Sequence, residues 1–308
     1  MILCVTPSPA IDRTARVDRL TFGAVLRPTD VLALPGGKGN NVARAANRLG
    51  ALVTTTGFAG GHAGRWLVEA LDAEGLNPRY VSVAGETRTT YVTVDAGGRS
   101  VLVYEPGTAV TDDDIDALLA LLGTELLPSA TWMAVCGSPP PGMRPEGYAT
   151  LVEASHAAGR PCIIDVGGAA LLAALAAGPD VVKVSRDEAD SIAETRAVDA
   201  ASAARALVAR GAGLAVVTDG PHGAAAADEE ATWEVAVPRI RAVDAVGSGD
   251  VFTAGLLVAL DAGRSTDEAL AWAAAAGTAN AETLGAGRFD TARPAELVGQ
   301  VRVRRHAR

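Results

Sequence analysis

The chain has 308 residues, of which 49% are hydrophobic and only 4% aromatic, so it is long enough for a large α/β core of small aliphatic side chains. Its formal net charge of −9 argues against nucleic acid as the main partner. No apolar run reaches the roughly 18 residues that a membrane span needs, and the three cysteines have no paired spacing. We therefore expect a cytoplasmic protein with reduced, buried thiols.

Short β-like runs alternate with helical stretches along the chain. The strand candidates are residues 2–5, 51–57, 131–136, 161–165, 180–184 and 213–218. The helix candidates include residues 39–49, 62–73, 145–158, 199–210 and 249–261. This alternation predicts an α/β fold, in which a parallel sheet has helices on both faces.

Two regions break this pattern, residues 14–34 and 88–105. Each resembles consecutive strands without a helix between them, and a hairpin is predicted around Ala96-Gly97-Gly98. We expect these segments to form a small β-sheet beside the main body. That sheet is either a lid that excludes water or a dimerisation surface, and the sequence does not distinguish the two.

The stretch "DAVGSGDVFTAGLL", residues 244–257, places an acid directly after two glycines at the start of a predicted helix. The backbone N–H groups of Gly247, Ser248 and Gly249 are expected to be free and to form an anion-binding concavity. A carboxylate beside it, Asp250, suits a phosphotransferase, because it accepts a hydroxyl proton while the N–H groups stabilise the phosphoryl group. The alternative is an ordinary helix cap.

A second glycine-rich stretch, "LPGGKGNNVARAANRLG", covers residues 34–50. Gly36 and Gly37 let the backbone approach a ligand closely, Lys38 adds a cation, and Asn41 offers an amide suited to hydroxyls. This pattern indicates a polyol-binding turn, and the alternative is a plain strand-to-helix turn with a solvated lysine. It matches neither the Walker loop nor the dinucleotide fingerprint.

Together, Gly36-Gly37-Lys38-Gly39 with Asn41, and Gly247-Ser248-Gly249-Asp250, resemble the two signatures of the ribokinase-like (PfkB) carbohydrate kinases. Their order and separation also match, and the likeness extends from about residue 1 to 285. The resemblance implies a three-layer ribokinase-like fold with a mostly parallel central sheet and a small β lid. It further implies one kinase domain over residues 1–308, with ATP and Mg²⁺ as cofactors.

The resemblance also implies roles for individual residues. Asp250 matches the catalytic base, and residues 247–249 match the anion hole. The residues that match the substrate and nucleotide sites are Asp12, Gly36, Gly37, Lys38 and Asn41 for the sugar, and Lys183, Thr218, Gly220, Gly223 and Asn280 for ATP. As alternatives, Asp12 is a turn acid, residues 216–224 form an ordinary hairpin turn, and Asn280 is a solvated helix residue.

Within the family, "PSPAIDRTARVD", "TRTTYVTVD", "EPGTAVT" and "CGSPPPG" look most like the hexose-phosphate kinases, which include 1-phosphofructokinase and tagatose-6-phosphate kinase. Arg27 and Arg88 lie on the two lid segments and Ser138 follows a strand, so they are predicted to clamp a substrate phosphate. The alternative is that both arginines are exposed. Fructose 1-phosphate is the favoured substrate.

Other functions stay open at this stage. Tagatose 6-phosphate, fructose 6-phosphate, a neutral sugar or a nucleoside are alternative substrates, and a non-catalytic nucleotide or sugar-phosphate sensor is the alternative from another class. An exposed lid edge favours a homodimer, and no nucleic-acid or membrane partner is expected.

The sequence departs from the family pattern in two places. The family commonly has Lys-Pro-Asn with an acid three residues beyond the Asn, whereas here Lys183 is followed by Val184 and Ser185, and Glu188 keeps the acid. Glu188 is predicted to organise Mg²⁺ through water, and the serine puts the metal arrangement in question. Ala245 stands where a threonine is common. The basic C-terminus, residues 300–308, is expected to be a frayed, solvated end.

Overall fold

A computed structural model describes residues 1–192 and 199–307. The strands are β1 (Ile2–Thr6), β2 (Ala10–Val17), β3 (Asp30–Gly36), β4 (Val53–Gly60), β5 (Val81–Val83), β6 (Thr89–Asp95), β7 (Ser100–Tyr104), β8 (Trp132–Cys136), β9 (Cys162–Asp165), β10 (Val181–Ser185), β11 (Leu214–Thr218), β12 (Ala224–Ala227), β13 (Ala231–Ala236) and β14 (Arg302–Ala307). The helices are α1 (Lys38–Arg48), α2 (Gly61–Ala73), α3 (Asp112–Leu121), α4 (Gly147–Ala157), α5 (Gly168–Ala176), α6 (Arg186–Ile192), α7 (Ala200–Val208), α8 (Ser248–Asp261), α9 (Thr266–Ala281) and α10 (Arg293–Val298).

The large sheet has the strand order β14-β13-β12-β11-β10-β9-β8-β1-β4-β5. Strands from β5 to β11 pair in parallel, whereas β12, β13 and β14 add an antiparallel extension at one edge. The mostly parallel sheet predicted from the β–α alternation is therefore confirmed.

The frayed C-terminus was a wrong expectation. Residues 302–307 form β14, which pairs along β13 with Val303 opposite Val235. In "RVRRHA", Val303 packs against the edge of the core, and the guanidinium of Arg305, two residues on, lies 5.7 Å from the centre of the Trp233 ring. Backbone pairing to an existing strand thus orders a segment whose composition alone looks solvated.

Successive residues of each parallel strand pack against opposite helix layers. In β1, Ile2 and Cys4 join the core formed with α1, α2, α8 and α9, while Leu3 and Val5 join the core formed with α3, α4, α5 and α7. Period-two alternation with both faces apolar is what a sheet covered on both sides requires. The predicted three-layer α/β architecture is confirmed.

A separate four-stranded sheet has the order β3-β2-β6-β7. It is built from the two segments predicted as the lid, although β2 begins earlier, at Ala10. The predicted hairpin around residues 96–98 joins β6 to β7. Every residue of β7 is exposed. In the described ranges no helix is both long and apolar enough to cross a bilayer.

Candidate active site

A cavity of about 350 Å³ opens between the carboxyl ends of the parallel strands and the small sheet. Such an edge is where open α/β sheets bind ligands, and the volume suits a small molecule. The predicted site residues that line it are Asp12, Gly37, Lys38, Asn41, Arg88, Ser138, Gly247 and Asp250. The two glycine-rich stretches, about two hundred residues apart in sequence, thus meet in one place.

Asp250 is buried in the first turn of α8. Gly247 precedes the helix in the left-handed conformation (φ 78°), and a Cβ there would collide with Ala286, so the turn requires glycine. Asn41 Nδ2 donates to Asp250 Oδ2 at 2.9 Å, and Arg44 Nη1 donates to Asn41 Oδ1 at 2.9 Å. The carboxylate of Asp250 is therefore held in one orientation by a buried amide that is itself anchored.

Asp165, at the end of β9, lies at the centre of the site and was not predicted. Its side chain is fully buried, with Lys38 Nζ at 3.1 Å from Oδ1 and Lys183 Nζ at 3.0 Å from Oδ2. Thr253 Oγ1 also donates to Oδ2 at 2.9 Å. The available signal was an acid that ends the apolar run "CIID", separated by one residue from the glycine pair Gly167-Gly168.

The buried charges shift the pKa values of Asp250 and Asp165 in opposite directions. Burial and the neighbouring Asp165 carboxylate raise the pKa of Asp250 to about 6. Burial also opposes the charge on Asp165, but the ammonium groups of Lys183 and Lys38 outweigh it and hold its pKa at about 2. The site therefore contains one permanently ionised carboxylate and one that is poised to take up a proton.

The loop before α8 differs in one detail from the expected anion hole. The backbone N–H of Ser248 donates to Ala245 O at 3.2 Å, so it is already used within the turn. The N–H groups of Gly247 and Gly249 have no acceptor among the described residues. A Cβ on Gly249 would lie 2.9 Å from Lys183 Nζ, which puts a buried ammonium group beside these amides. The two free amides are available as donors to an anion.

Glu188 lies at the same sheet edge, in the first turn of α6. Ser185 binds its Oε2 through both backbone N (2.8 Å) and Oγ (2.9 Å), and Lys38 Nζ lies 2.8 Å from its Oε1. The Lys38 ammonium thus bridges Glu188 and Asp165, which demonstrates that these carboxylates attract a cation. Paired carboxylate oxygens are the donors that Mg²⁺ prefers, so this part of the site fits that ion.

Asp12 lies on β2, where the small sheet faces the cavity. Thr90 Oγ1 donates to Asp12 Oδ1. Burial raises the pKa of Asp12, although the Thr90 hydrogen bond and nearby guanidinium groups partly offset it. Gly36 packs directly against the Asp12 carboxyl group, which leaves no room for a side chain at that position.

The two predicted phosphate-binding arginines have different environments. Arg88 lines the cavity, donates from Nη2 to Ser8 O at 3.1 Å, and has a buried Nε with no partner among the described residues. Burial lowers the pKa of its guanidinium. Arg27 lies in an exposed loop between β2 and β3 and is not among the residues that line the cavity. Ser138, after β8, lines the cavity and is exposed to it.

The model of the pfkB family carbohydrate kinases matches residues 2–292. The chain belongs to the PfkB family of carbohydrate kinases. Phosphofructokinase-2 from Escherichia coli is 29% identical with a TM-score of 0.90, over 97% of this chain and 98% of that one. A putative phosphofructokinase from Staphylococcus aureus is 26% identical (TM-score 0.82, 100% and 99%). A possible 1-phosphofructokinase from Thermotoga maritima shares the fold at 24% identity (TM-score 0.87, 99% and 99%). This PfkB protein is thus a phosphotransferase and a sugar kinase.

Thr218, predicted to contact ATP, ends β11 at the same sheet edge, and its Oγ1 donates to Val184 O at 3.3 Å. Gly220 and Gly223 belong to the connection between the antiparallel strands β11 and β12, so this segment is also a hairpin turn. None of these three residues lines the cavity described above. Their contacts with ATP stay predictions.

Asn280 requires a correction. Its side chain is fully buried, donates from Nδ2 to Val246 O (3.1 Å) and Ser248 Oγ (3.3 Å), and accepts from Gly287 N (2.9 Å). It is therefore not a solvated helix residue, and it exposes no atom to adenine. In the PfkB fold of this chain it supports the loop that carries the free amides of Gly247 and Gly249.

Proposed function

We propose that this PfkB kinase transfers the γ-phosphate of ATP to a hydroxyl of a phosphorylated ketohexose, with fructose 1-phosphate as the favoured substrate. The observation that carries the proposal is Arg88, a cavity-lining guanidinium with an unpartnered buried Nε. A buried donor without an acceptor is costly, and a substrate phosphate satisfies it. A neutral sugar would leave the guanidinium with the Asp12 carboxylate as its neighbouring negative charge and supply no phosphate oxygen to Nε.

The substrate hydroxyls are proposed to bind Asp12, Lys38 and Asn41, which line the cavity together with Asp250. Ser138 is close enough to the same cavity to add a hydroxyl contact to the phosphate. Arg27 is proposed as a second phosphate ligand that reaches the substrate when the lid loop moves or when a second chain packs against it. Arg27 is exposed in the structure, so its proposed contact with the phosphate depends on movement of the loop or on packing of a second chain.

In the proposed reaction the ionised Asp250 accepts the proton of the substrate hydroxyl. The hydroxyl oxygen forms a bond to the γ-phosphorus, the bond between that phosphorus and the β–γ bridging oxygen breaks, and ADP leaves. The amides of Gly247 and Gly249 and the Lys183 ammonium stabilise the charge on the transferred group. A pKa of about 6 leaves Asp250 ionised at neutral pH yet able to hold a proton.

Kinases of this family use ATP, typically with Mg²⁺. When bound, Mg²⁺ neutralises phosphate charge and orients the nucleotide. Glu188 and Asp165 are the residues proposed to hold it, directly or through water. With the ion held there, the Lys38 ammonium would be released from these carboxylates to contact substrate oxygens, and Lys183 would stay paired with Asp165.

Two further observations support a phosphorylated hexose and an oligomer. Phosphofructokinase-2 from Escherichia coli has been solved in complex with fructose-6-phosphate and in a tetrameric inhibited form. In this chain the exposed strand β7 carries Val101, Leu102, Val103 and Tyr104. We propose that a second copy covers this apolar strand and that residues 1–308 act as one cytoplasmic kinase domain with the small sheet as lid.

The test is ADP release from Mg²⁺-ATP with fructose 1-phosphate, fructose 6-phosphate, tagatose 6-phosphate, fructose, ribose and adenosine. Turnover of a phosphorylated ketohexose, abolished by Asp250→Asn, is the expected result. If only unphosphorylated substrates are turned over, the protein is still a kinase, but the phosphate-binding role of Arg88 is rejected. No turnover on any substrate, with sugar phosphate still bound, would favour the sensor.

A further inference from the structure

A second group of ionisable side chains lies at the amino ends of β9 and β10, away from the cavity. His156 is in the last turn of α4, Cys162 is the first residue of β9, and Asp180 directly precedes β10. The opposite ends of the same two strands carry Asp165 and Ser185. Because β9 spans four residues, roughly 10 Å of strand separates the two groups.

The three donor atoms converge on one point. His156 Nε2 lies 3.0 Å from Asp180 Oδ2 and 3.8 Å from Cys162 Sγ, and one ligand atom from each residue lies within 4.8 Å of the others. In a Cys-His-Asp catalytic relay the thiol and the carboxylate contact different ring nitrogens. Here both face Nε2, which is the arrangement of ligands around an ion.

The donor set is that of a soft or borderline divalent ion. Thiolate, imidazole and carboxylate suit Zn²⁺ and Co²⁺, whereas Mg²⁺ takes oxygen ligands. Zn²⁺ bonds of about 2.0–2.3 Å to tetrahedral ligands separate the donor atoms by roughly 3.3–3.7 Å. The observed 3.0 and 3.8 Å lie close to that range, so small side-chain movements suffice.

We propose that His156, Cys162 and Asp180 bind one divalent transition-metal ion, with Zn²⁺ as the preferred ion and a water molecule as the fourth ligand. The Cys162 S–H bond breaks, its proton passes to solvent, and the thiolate forms the metal–sulfur bond. His156 binds as the neutral imidazole through Nε2. The ion joins the end of α4 to the starts of two core strands.

Two features prepare this position for an ion. The backbone N–H of Cys162 donates to Asp180 Oδ2 at 2.8 Å, which fixes the carboxylate beside the thiol. The side chains of His156 and Asp180 are 38% and 42% exposed, so an ion reaches them from solvent while Cys162 closes the inner side. Burial raises the pKa of Cys162 to about 12, so without metal it is a neutral thiol beside a His–Asp pair.

The experiment is a Co²⁺ titration of tag-free, chelator-treated protein in saturating Mg²⁺, which occupies oxygen-donor sites. The readouts are the thiolate-to-Co²⁺ charge-transfer absorption and the d–d absorption of tetrahedral cobalt. One equivalent of Co²⁺ should develop both, and Zn²⁺ should remove them. His156→Gln and Asp180→Asn should each weaken binding by at least about tenfold, while the exposed His62→Gln should match the wild type.

Cys162→Ala should abolish the charge-transfer absorption, whereas Cys4→Ala, at another buried thiol, should retain it. If Cys162→Ala does not fold, His156→Gln and Asp180→Asn still test whether the three side chains bind the ion. Absence of thiolate absorption in the wild type, or equal Co²⁺ affinity in His156→Gln and wild type, would overturn the proposal. Zn²⁺ should also raise the unfolding temperature of the wild type and leave that of His156→Gln unchanged.

Discussion

Strands β9 and β10 carry ionisable groups at both ends, and the two ends differ in how charge is compensated. At the carboxyl ends, the fully buried Asp165 is bracketed by Lys38 and Lys183. At the amino ends, His156 and Asp180 remain partly exposed, with a thiol as their inner neighbour. Buried charge must be paired inside the protein, whereas exposed charge relies on water.

This difference in charge compensation explains why the carboxyl ends of β9 and β10 suit phosphoryl transfer. It also explains why their amino ends suit the proposed metal ion. At the carboxyl edge, the free amides at the helix start and the ammonium groups of Lys38 and Lys183 offer donors to an anion. At the amino edge, the three donors offer lone pairs and no permanent cation to an incoming metal. The variants below separate the functions of the two edges.

Asp250→Asn should have the largest effect. Loss of the base should lower kcat by about 10²–10⁴-fold, while sugar-phosphate and ATP binding persist, because the amide is close in shape to the carboxylate. Rates of ADP release and isothermal titration measure the two quantities. Asp72→Asn, an exposed acid on α2, is the control that should keep the wild-type rate. If Asp250→Asn retains the wild-type rate, Asp250 is not the catalytic base.

Asp165→Asn should reduce stability in addition to weakening the proposed Mg²⁺ binding. It leaves the ammonium groups of Lys38 and Lys183 without their shared counter-charge, and removal of one partner from a buried pair costs about 3–5 kcal/mol. Urea unfolding measures the loss, with Asp72→Asn expected within about 0.5 kcal/mol of the wild type. A loss of less than about 1 kcal/mol would mean that the buried pairs contribute little net stability.

Arg88→Met should change substrate affinity more than rate. Loss of a charge-assisted hydrogen bond worth about 1.5–3 kcal/mol should raise the KM for the sugar phosphate about 10–100-fold. Arg13→Met, an exposed arginine on the same small sheet, should leave KM unchanged. Steady-state kinetics at saturating ATP provides the comparison. An equal KM in Arg88→Met and wild type would show that Arg88 does not bind the substrate phosphate.

Ser185→Asn should have the smallest effect. It restores the side chain common in the family next to Glu188, whose Oε2 Ser185 now holds through two hydrogen bonds. Repositioning a neighbour of a metal-binding carboxylate should change the Mg²⁺ concentration for half-maximal rate by about tenfold or less. A Mg²⁺ titration of the rate measures it. A superimposable titration would show that serine and asparagine are equivalent here.

The sequence predicted the parts of this molecule that depend on short, local patterns. The β–α alternation located the core strands, and the glycine-acid motif located Asp250 at a helix start. Missed features depend on pairing between distant segments. The strand at residues 302–307 needs β13 beside it, and the buried side chain of Asn280 bonds to Gly287 and to Val246 and Ser248, which lie 34 and 32 residues away in sequence.

Asp165 and the His156–Cys162–Asp180 group show the same limit. Each residue is unremarkable in its own stretch of sequence, and its surroundings arise from strand register, which places Val181 beside Ile163. Periodicity identifies a parallel strand, but it does not determine which neighbour lies beside it. The pairing of Asp165 with Lys38 and Lys183 therefore became visible only in the structure.

The most direct test of the central claim, that Asp250 is the base, is the pH dependence of kcat for the phosphorylated substrate in wild type and Asn41→Leu. Because the pKa of Asp250 is raised to about 6, kcat should fall as the pH decreases through that value and Asp250 becomes protonated. Asn41 lowers this pKa by donating to the carboxylate, so its removal should move the fall to higher pH. The phosphate of the substrate titrates identically with both proteins, so a shift belongs to the enzyme. A fall at the same pH in both proteins would contradict the role of Asp250.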